Sequence, residues 1–256
     1  MVKHLELIAI AAAVALVAGC AQSPATSAGA KPAESAEGLI RYRHVVNYDY
    51  IKKHAALPRD PKASLIVDSR PGARRYDIGH IPGAINIPET QFDKLAPTLL
   101  PADKGAEIIF YCQGPTCDLS AKSAYKAEKL GYTNIKVYEA GIPDWEAHGD
   151  PVSVSTAFMQ KAVKEKADIV LIDSRPARRV KSEGTIPGAI NISDTSFDKE
   201  TDKLPQDKLK EIIFFCQGFA CELSDKSARK AMALGYKKVR TYAAGFPAWK
   251  AATEGK

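Results

Sequence analysis

The sequence predicts an α/β protein written twice, each half a central, mostly parallel β-sheet with helices on both faces. Three observations carry that prediction. The 256-residue chain repeats itself: "SLIVDSRPGARRYDIGHIPGAINIP" (residues 64–88) answers to "IVLIDSRPARRVKSEGTIPGAINIS" (169–193), and "VYEAGIPDWEAHG" (137–149) to "TYAAGFPAWKAAT" (241–253). Within each copy, short unbroken apolar runs rich in branched residues have the signature of strands buried on both faces. Between those runs lie segments of helical composition, and strands separated by helices imply a parallel sheet covered on both sides.

The elements follow in order. "SLIVD" and "DIVLID" are buried strands, and "AINI" is another, entered through a Pro-Gly turn. "EIIFYC" and "EIIFFC" supply the next. After them, "SAKSAYKAEKLGY" and "SDKSARKAMALGY" read as helices with Ser at the N-cap and Gly at the C-cap. "IKVY" and "KVRTY" close each sheet. The offset from Cys112 to Cys216 equals that from Trp145 to Trp249, and Asp68 to Asp173 is one longer, so one insertion accommodates the duplication. A period of about a hundred residues is a duplicated domain rather than a solenoid unit.

The N-terminus is organised differently. "MVKHLELIAIAAAVALVAGC" joins Lys3, an apolar stretch and small residues before Cys20, too short for a comfortable membrane span. Its tail resembles the bacterial lipobox, which implies removal of residues 1–19 and lipidation of Cys20. The expected location is outside the cytoplasm, lipid-anchored to a bacterial membrane and facing the periplasm. Ala21 rather than Asp after Cys20 favours the outer membrane of a Gram-negative cell. Residues 20–39 then form a tether of small, polar and Pro residues that cannot bury enough surface to fold. The two domains are expected at 40–150 and 151–256.

Apolar content of 45% and charged content of 26% are those of a globular protein. The formal charge of +6 is spread in alternation with acids, without an Arg-rich stripe interleaved with aromatics. Nucleic acid is therefore not an expected partner; small anions and membrane surfaces are.

The chemistry concentrates in "CQGPTCDL" (112–119) and "CQGFACEL" (217–223 after Cys216). Cys112 and Cys216 stand at the carboxyl end of a strand, where parallel sheets place their ligands. Amides of the following helix favour a thiolate there, and can hold a second sulfur or a small anion. Gly114 and Gly218 permit the backbone angles of such a cradle.

"VDSRP", "GHIPGAINIP", a Cys between strand and helix, and "EAGIPDW", echoed by "IDSRP", "GTIPGAINIS", Cys216 and "AAGFPAW", resemble the successive signatures of the rhodanese family. The resemblance implies two tandem rhodanese-like domains acting as a sulfurtransferase of the thiosulfate sulfurtransferase class. A cysteine would take sulfane sulfur from a small donor anion, thiosulfate or polysulfide, and pass it to a thiol, a cyanide-like acceptor or a protein. No metal or organic cofactor is implied. Cys112 and Cys216 match the catalytic position. Gln113, Gly114, Pro115, Thr116, Cys117, Asp118 and Leu119 match the substrate loop, as do Gln217, Gly218, Phe219, Ala220, Cys221, Glu222 and Leu223. Asp68, Arg70, Asp173 and Arg175 match an Asp-x-Arg signature, read as ion pairs holding each strand end near its loop. His80, replaced by Thr185 in the second copy, reads as a surface or turn residue, and Trp145 and Trp249 as packing aromatics.

Two departures bear on function. No Arg or Lys stands beside either cysteine, and Asp118 and Glu222 occupy the place where phosphatase loops of this fold put an arginine. An acid there repels a dianion, which argues against phosphatase or arsenate reductase activity and against efficient thiosulfate turnover. The second cysteines, Cys117 and Cys221, allow persulfide release or a disulfide. Three readings are open: sulfurtransferase or persulfide carrier, thiol–disulfide redox protein, and non-catalytic binding module. Both copies keep their cysteines and are expected to be competent, the second less securely because of Thr185 and Phe219.

Overall fold

The computed structural model describes residues 33–34, 38–60 and 62–254. Cys20, the apolar stretch before it and most of the tether lie outside the described residues. In the first half, strands β1 (Ala33–Glu34) and β2 (Ile40–Arg41) form a small antiparallel pair. The main strands are β3 (Leu65–Asp68), β4 (Ile85–Asn86), β5 (Ile108–Tyr111) and β6 (Ile135–Tyr138). They pair in parallel in the order β4-β3-β5-β6. Helices α1 (Tyr48–Ala55), α2 (Phe92–Leu99), α3 (Leu119–Lys129) and α4 (Gly141–Ala147) cover them.

The second half repeats the plan with β7 (Val152–Ser153), β8 (Ile169–Asp173), β9 (Ile190–Asn191), β10 (Glu211–Phe215) and β11 (Lys238–Tyr242). Its sheet is parallel in the order β7-β11-β10-β8-β9. Its helices are α5 (Thr156–Lys164), α6 (Ala177–Glu183), α7 (Leu223–Ala233) and α8 (Gly245–Glu254). The α/β architecture read from the apolar runs is thus present in both copies.

The pleat explains why the central strands have no polar face. Ile108 and Phe110 enter one core with Phe92 and Ala124, while Ile109 and Tyr111 enter the opposite core with Ile51 and Trp145. The second half divides Ile212 and Phe214 from Ile213 and Phe215 in the same way. Both faces are buried, so both parities of each strand must be apolar.

Two expectations are corrected. Ser does not cap the helices after the cysteine loops: Asp118 and Glu222 hold the N-cap positions, and α3 and α7 begin at Leu119 and Leu223. Ser120 and Ser224 fall inside the first turn and are buried. At the other end, Gly131 and Gly235 follow the helices with φ of 89° and 92°, the left-handed geometry of a C-terminal cap. His80 is not a surface residue either. It is 4% exposed, stacked on Tyr76, with Nδ1 2.8 Å from the Tyr76 carbonyl.

His80 also marks the joint between the halves. Its amide donates to Ser153 O at 2.9 Å and its carbonyl accepts from Ser153 N–H at 2.8 Å. Val152, beside Ser153 in β7, packs into the first half's core. Arg240 Nη1 reaches the Ile78 carbonyl at 2.7 Å. The buried Asp150 carboxylate receives Tyr48, Lys52 and Arg229. Burial works to raise that carboxyl, but the bonds from Tyr48 and Arg229 outweigh it and hold it below the ordinary range.

Candidate functional site

Each site is built on the carboxyl end of the middle strand. Cys112 follows β5 and Cys216 follows β10, each 1% exposed. The next residues turn back at Gly114 and Gly218, whose φ angles of 114° and 90° favour glycine. Cys117 N–H donates to Gly114 O and Cys221 N–H to Gly218 O, both at 2.9 Å, closing each loop on itself. Pro115, Thr116, Phe219 and Ala220 form the exposed tips.

Two props hold the loop from behind. Arg70 clasps Asp68 through Nε at 2.9 Å and Nη2 at 2.6 Å, and its Nη1 reaches Gln113 Oε1 at 3.3 Å. Arg175 repeats this with Asp173, at 2.9 and 2.7 Å, and with Gln217 at 3.3 Å. Both arginines are buried, so the guanidinium fork ties the strand end to the loop where water cannot compete.

The second prop is the glycine of the "AGIP" and "AGFP" segments. A Cβ on Gly141 would lie 2.5 Å from Cys112 O, and one on Gly245 2.5 Å from Cys216 O. Ile142 N–H donates to Cys112 O at 3.2 Å and Phe246 N–H to Cys216 O at 2.9 Å. Only a residue without a side chain lets the helix start approach that closely.

The sulfurs differ between the copies. Cys216 and Cys221 are joined as a disulfide. Cys112 and Cys117 are free thiols. Cys112 Sγ donates to Cys117 O at 3.3 Å and contacts Ser120 Oγ at 3.3 Å. The neighbouring Cys117 side chain, together with burial, pushes the Cys112 thiol well up. The same contact lowers the Cys117 thiol, against burial, helped by the amides of Gln113 and Leu119.

The acids stay paired. Asp118 bridges Lys122 at 3.0 Å and accepts from Ile40 N–H at 3.5 Å, while Glu222 bridges Lys226 at 2.5 Å. Leu119 and Leu223 open the helices, half-buried. Trp145 and Trp249 are buried in the cores. Among the described residues no group of three or more His, Cys, Asp or Glu side chains could hold a metal.

Three sets of residues were not singled out by the sequence reading. Ser120 and Ser224 each touch the first sulfur of their loop, Ser224 Oγ at 3.3 Å from Cys216. The repeated "LS" after each loop was their only signal. Gly141 and Gly245 were legible only as part of a motif. The third set is the hydroxyl that donates to each buried aspartate beside its arginine. Tyr111 Oη donates to Asp68 Oδ2 at 2.8 Å; Phe215 stands in its place, and Thr185 Oγ1 donates to Asp173 Oδ2 at 2.7 Å. Thr185 thus completes the second scaffold rather than weakening it.

Comparison with known proteins agrees with this plan. The chain is 33% identical to a dual specificity phosphatase Cdc25 of Arabidopsis thaliana over 112 residues, 40% of this chain and 76% of that protein. It is 31% identical to an arsenate reductase 2.1 of Oryza sativa subsp. japonica over 121 residues, 44% of this chain and 74% of that one. A thiosulfate sulfurtransferase of Pseudomonas aeruginosa has 17% identity and a TM-score of 0.36, over 82% of this chain and 42% of that chain, too distant a superposition to argue from. The Rhodanese-like domain family matches residues 50–148 and again 157–252. With both halves matched, the chain belongs to the rhodanese-like family, as two such domains in tandem.

Proposed function

We propose that the protein is a sulfurtransferase that carries sulfane sulfur as a cysteine persulfide. Cys112 and Cys216 hold the sulfur, in loops positioned by Arg70 and Arg175 and backed by Gly141 and Gly245. One observation carries this reading. The same two-sulfur loop is built twice at the end of a central strand, with the first sulfur buried against a serine hydroxyl. A persulfide held there is shielded from bulk water, and the loop amides supply hydrogen bonds to the added sulfur.

The names of the curated relatives raise phosphate and arsenate chemistry for the same fold. In this chain the loops contain no cation, and Asp118 and Glu222 point the electrostatics the wrong way for a tetrahedral dianion. The same argument favours a persulfide or polysulfide donor of low charge over thiosulfate. The acceptor is a thiol or a cyanide-like nucleophile.

The test is thiocyanate formation from polysulfide and cyanide by the full chain and by Cys112→Ser, Cys216→Ser and the double variant. The double variant should lose all activity. Undiminished turnover in it ends the proposal. A second reading, thiol–disulfide exchange, is favoured by the Cys216–Cys221 disulfide. It requires loss of the bridge on glutathione treatment, without added sulfur, in the intact mass.

We also propose that Cys20 is lipidated and anchors domains 40–150 and 151–256 outside the cytoplasm, supported by the Val-Ala-Gly-Cys segment. Cys20→Ser should move the protein from membrane to soluble fractions.

A further inference from the structure

We propose that the second cysteine of each loop discharges the first: it displaces the stored sulfur as hydrosulfide and leaves a disulfide. This rests on the sulfurtransferase reading above and names the acceptor at that same site, a thiol supplied by the loop itself. The reaction is a persulfide reduction, and a dithiol reductant must follow it.

The two loops show the two ends of that step on one backbone. In the first, Cys112 and Cys117 are thiols. In the second, Cys216 and Cys221 are bonded, their Cα atoms 6.5 Å apart, a span that a disulfide bridges without backbone movement. The surroundings are otherwise shared. Cys117 and Cys221 N–H both donate to the glycine carbonyl at 2.9 Å. The first sulfur lies 3.3 Å from the Cys117 carbonyl oxygen in one loop and 3.4 Å from that of Cys221 in the other. The Ser120 and Ser224 hydroxyls stand 3.3 Å from it in both. Bond formation therefore leaves the loop's hydrogen bonds in place, and the loop can cycle between the two forms.

The bond is not a staple that the fold requires, because the first loop closes the same turn with free thiols. It also occupies the sulfur at the catalytic position, so a permanent bridge would close the site. A persulfide on Cys216 meets the Cys221 thiol at an effective concentration of roughly millimolar or above. Cys216 is 1% exposed and Cys221 partly exposed, beside the open tip of Phe219 and Ala220. The reductant accordingly opens the bond at the Cys221 sulfur.

The electrons balance within the loop. The Cys216 thiolate takes the terminal sulfur of a donor RS–SH, the donor S–S bond breaks, and RS⁻ leaves and takes a proton from water. Cys221 gives its proton to water, and its thiolate attacks the Cys216 Sγ of Cys216–S–SH. The bond from Cys216 to the outer sulfur breaks, and that sulfur leaves with the bonding pair as HS⁻. The sulfane sulfur gains two electrons and the two cysteines lose them in forming their bond. A dithiol then returns two electrons and two protons, restoring both thiols and becoming a disulfide itself. Cys117 acts on Cys112 in the same way.

The test uses the full chain, reduced and kept free of oxygen, with one equivalent of glutathione persulfide per loop and neither cyanide nor reductant. About one sulfide per loop should appear above the background of Cys112→Ser/Cys216→Ser, and peptide mapping should find both loops bridged. Cys117→Ser/Cys221→Ser should instead retain an added sulfur on Cys112 and Cys216 and release sulfide about tenfold more slowly or less. Undiminished sulfide from that variant, or a glutathione adduct on its cysteines in place of sulfur, overturns the inference. A parent that keeps its persulfides and releases no sulfide also overturns it, with sulfur transfer left intact. Neither bound sulfur nor sulfide, in parent and variant alike, removes the sulfurtransferase reading itself.

Discussion

The Cys112 and Cys216 loops have the same skeleton and different surroundings. In both, the Asp–Arg–Gln relay and an intruding glycine hold the first cysteine at the end of a buried strand. Around the first loop, the Ile40 amide faces Asp118 and the sulfurs are thiols. Around the second, the Arg59 amide from the other half donates to Phe219 O at 2.8 Å, and the sulfurs are bridged. Duplication preserved the parts that fix backbone position and freed the parts that contact the neighbourhood. The aspartate scaffold makes the point sharply. Its carboxylate accepts one hydroxyl beside the arginine donors in both copies, from Tyr111 in one and Thr185 in the other, because a buried carboxylate is stabilised by each further donor.

The largest test of the shared skeleton is its ion pair. Arg70→Ala leaves the Asp68 carboxylate buried and uncompensated, and should cost about 3–5 kcal/mol in urea unfolding of the full chain. Arg175→Ala should cost at least as much, since Arg175 also reaches Glu183 at 3.1 Å. A loss under about 1 kcal/mol in either would show that the relay is decorative.

The His80–Thr185 difference gives the next largest effect. Burial lowers His80 to about 4 from an ordinary 6.5. The unfolded chain therefore takes up this proton first. Its contribution is complete above pH 6.5 and is lost as pH falls toward 4, with about 3 kcal/mol at stake. Thr185 cannot titrate, so His80→Thr should flatten this part of the stability profile. An unchanged acid slope in that variant would place the effect elsewhere, as at Asp150.

The smallest test is the donor exchange itself. Tyr111→Phe should cost about 2 kcal/mol by removing two buried hydrogen bonds, the one to Asp68 and the one accepted from Ile81 N–H at 3.0 Å. Combining it with His80→Thr reproduces the second copy's pairing. The double variant should be less destabilised than the sum of the single changes by about 1 kcal/mol, read by a double-mutant cycle. Simple additivity would mean that the two hydroxyls are not interchangeable.

Much of this protein was legible in its residues. The alternation of apolar runs with helical segments marks a parallel sheet, because strands buried on both faces have no polar parity to hide it. The repeated Cys-Gln-Gly-x-x-Cys marks the loop, because glycine is needed where φ is positive. The role of Ser120 was hidden, since Ser before a helical run reads as a cap, and only the fold shows the cap and helix start lying two residues earlier. His80 looked like a turn residue because nothing nearby in sequence announces the Ser153 strand that pairs with it, or that the Tyr76 ring four positions earlier stacks on it.

Local chemistry in the chain determined the double α/β plan, the family and the position of both sulfur loops, since these follow from short-range patterning. Which hydroxyl donates to each buried aspartate, and that His80 is buried, were decided only by tertiary structure. Those outcomes depend on burial and on donors distant in sequence, which no local pattern encodes.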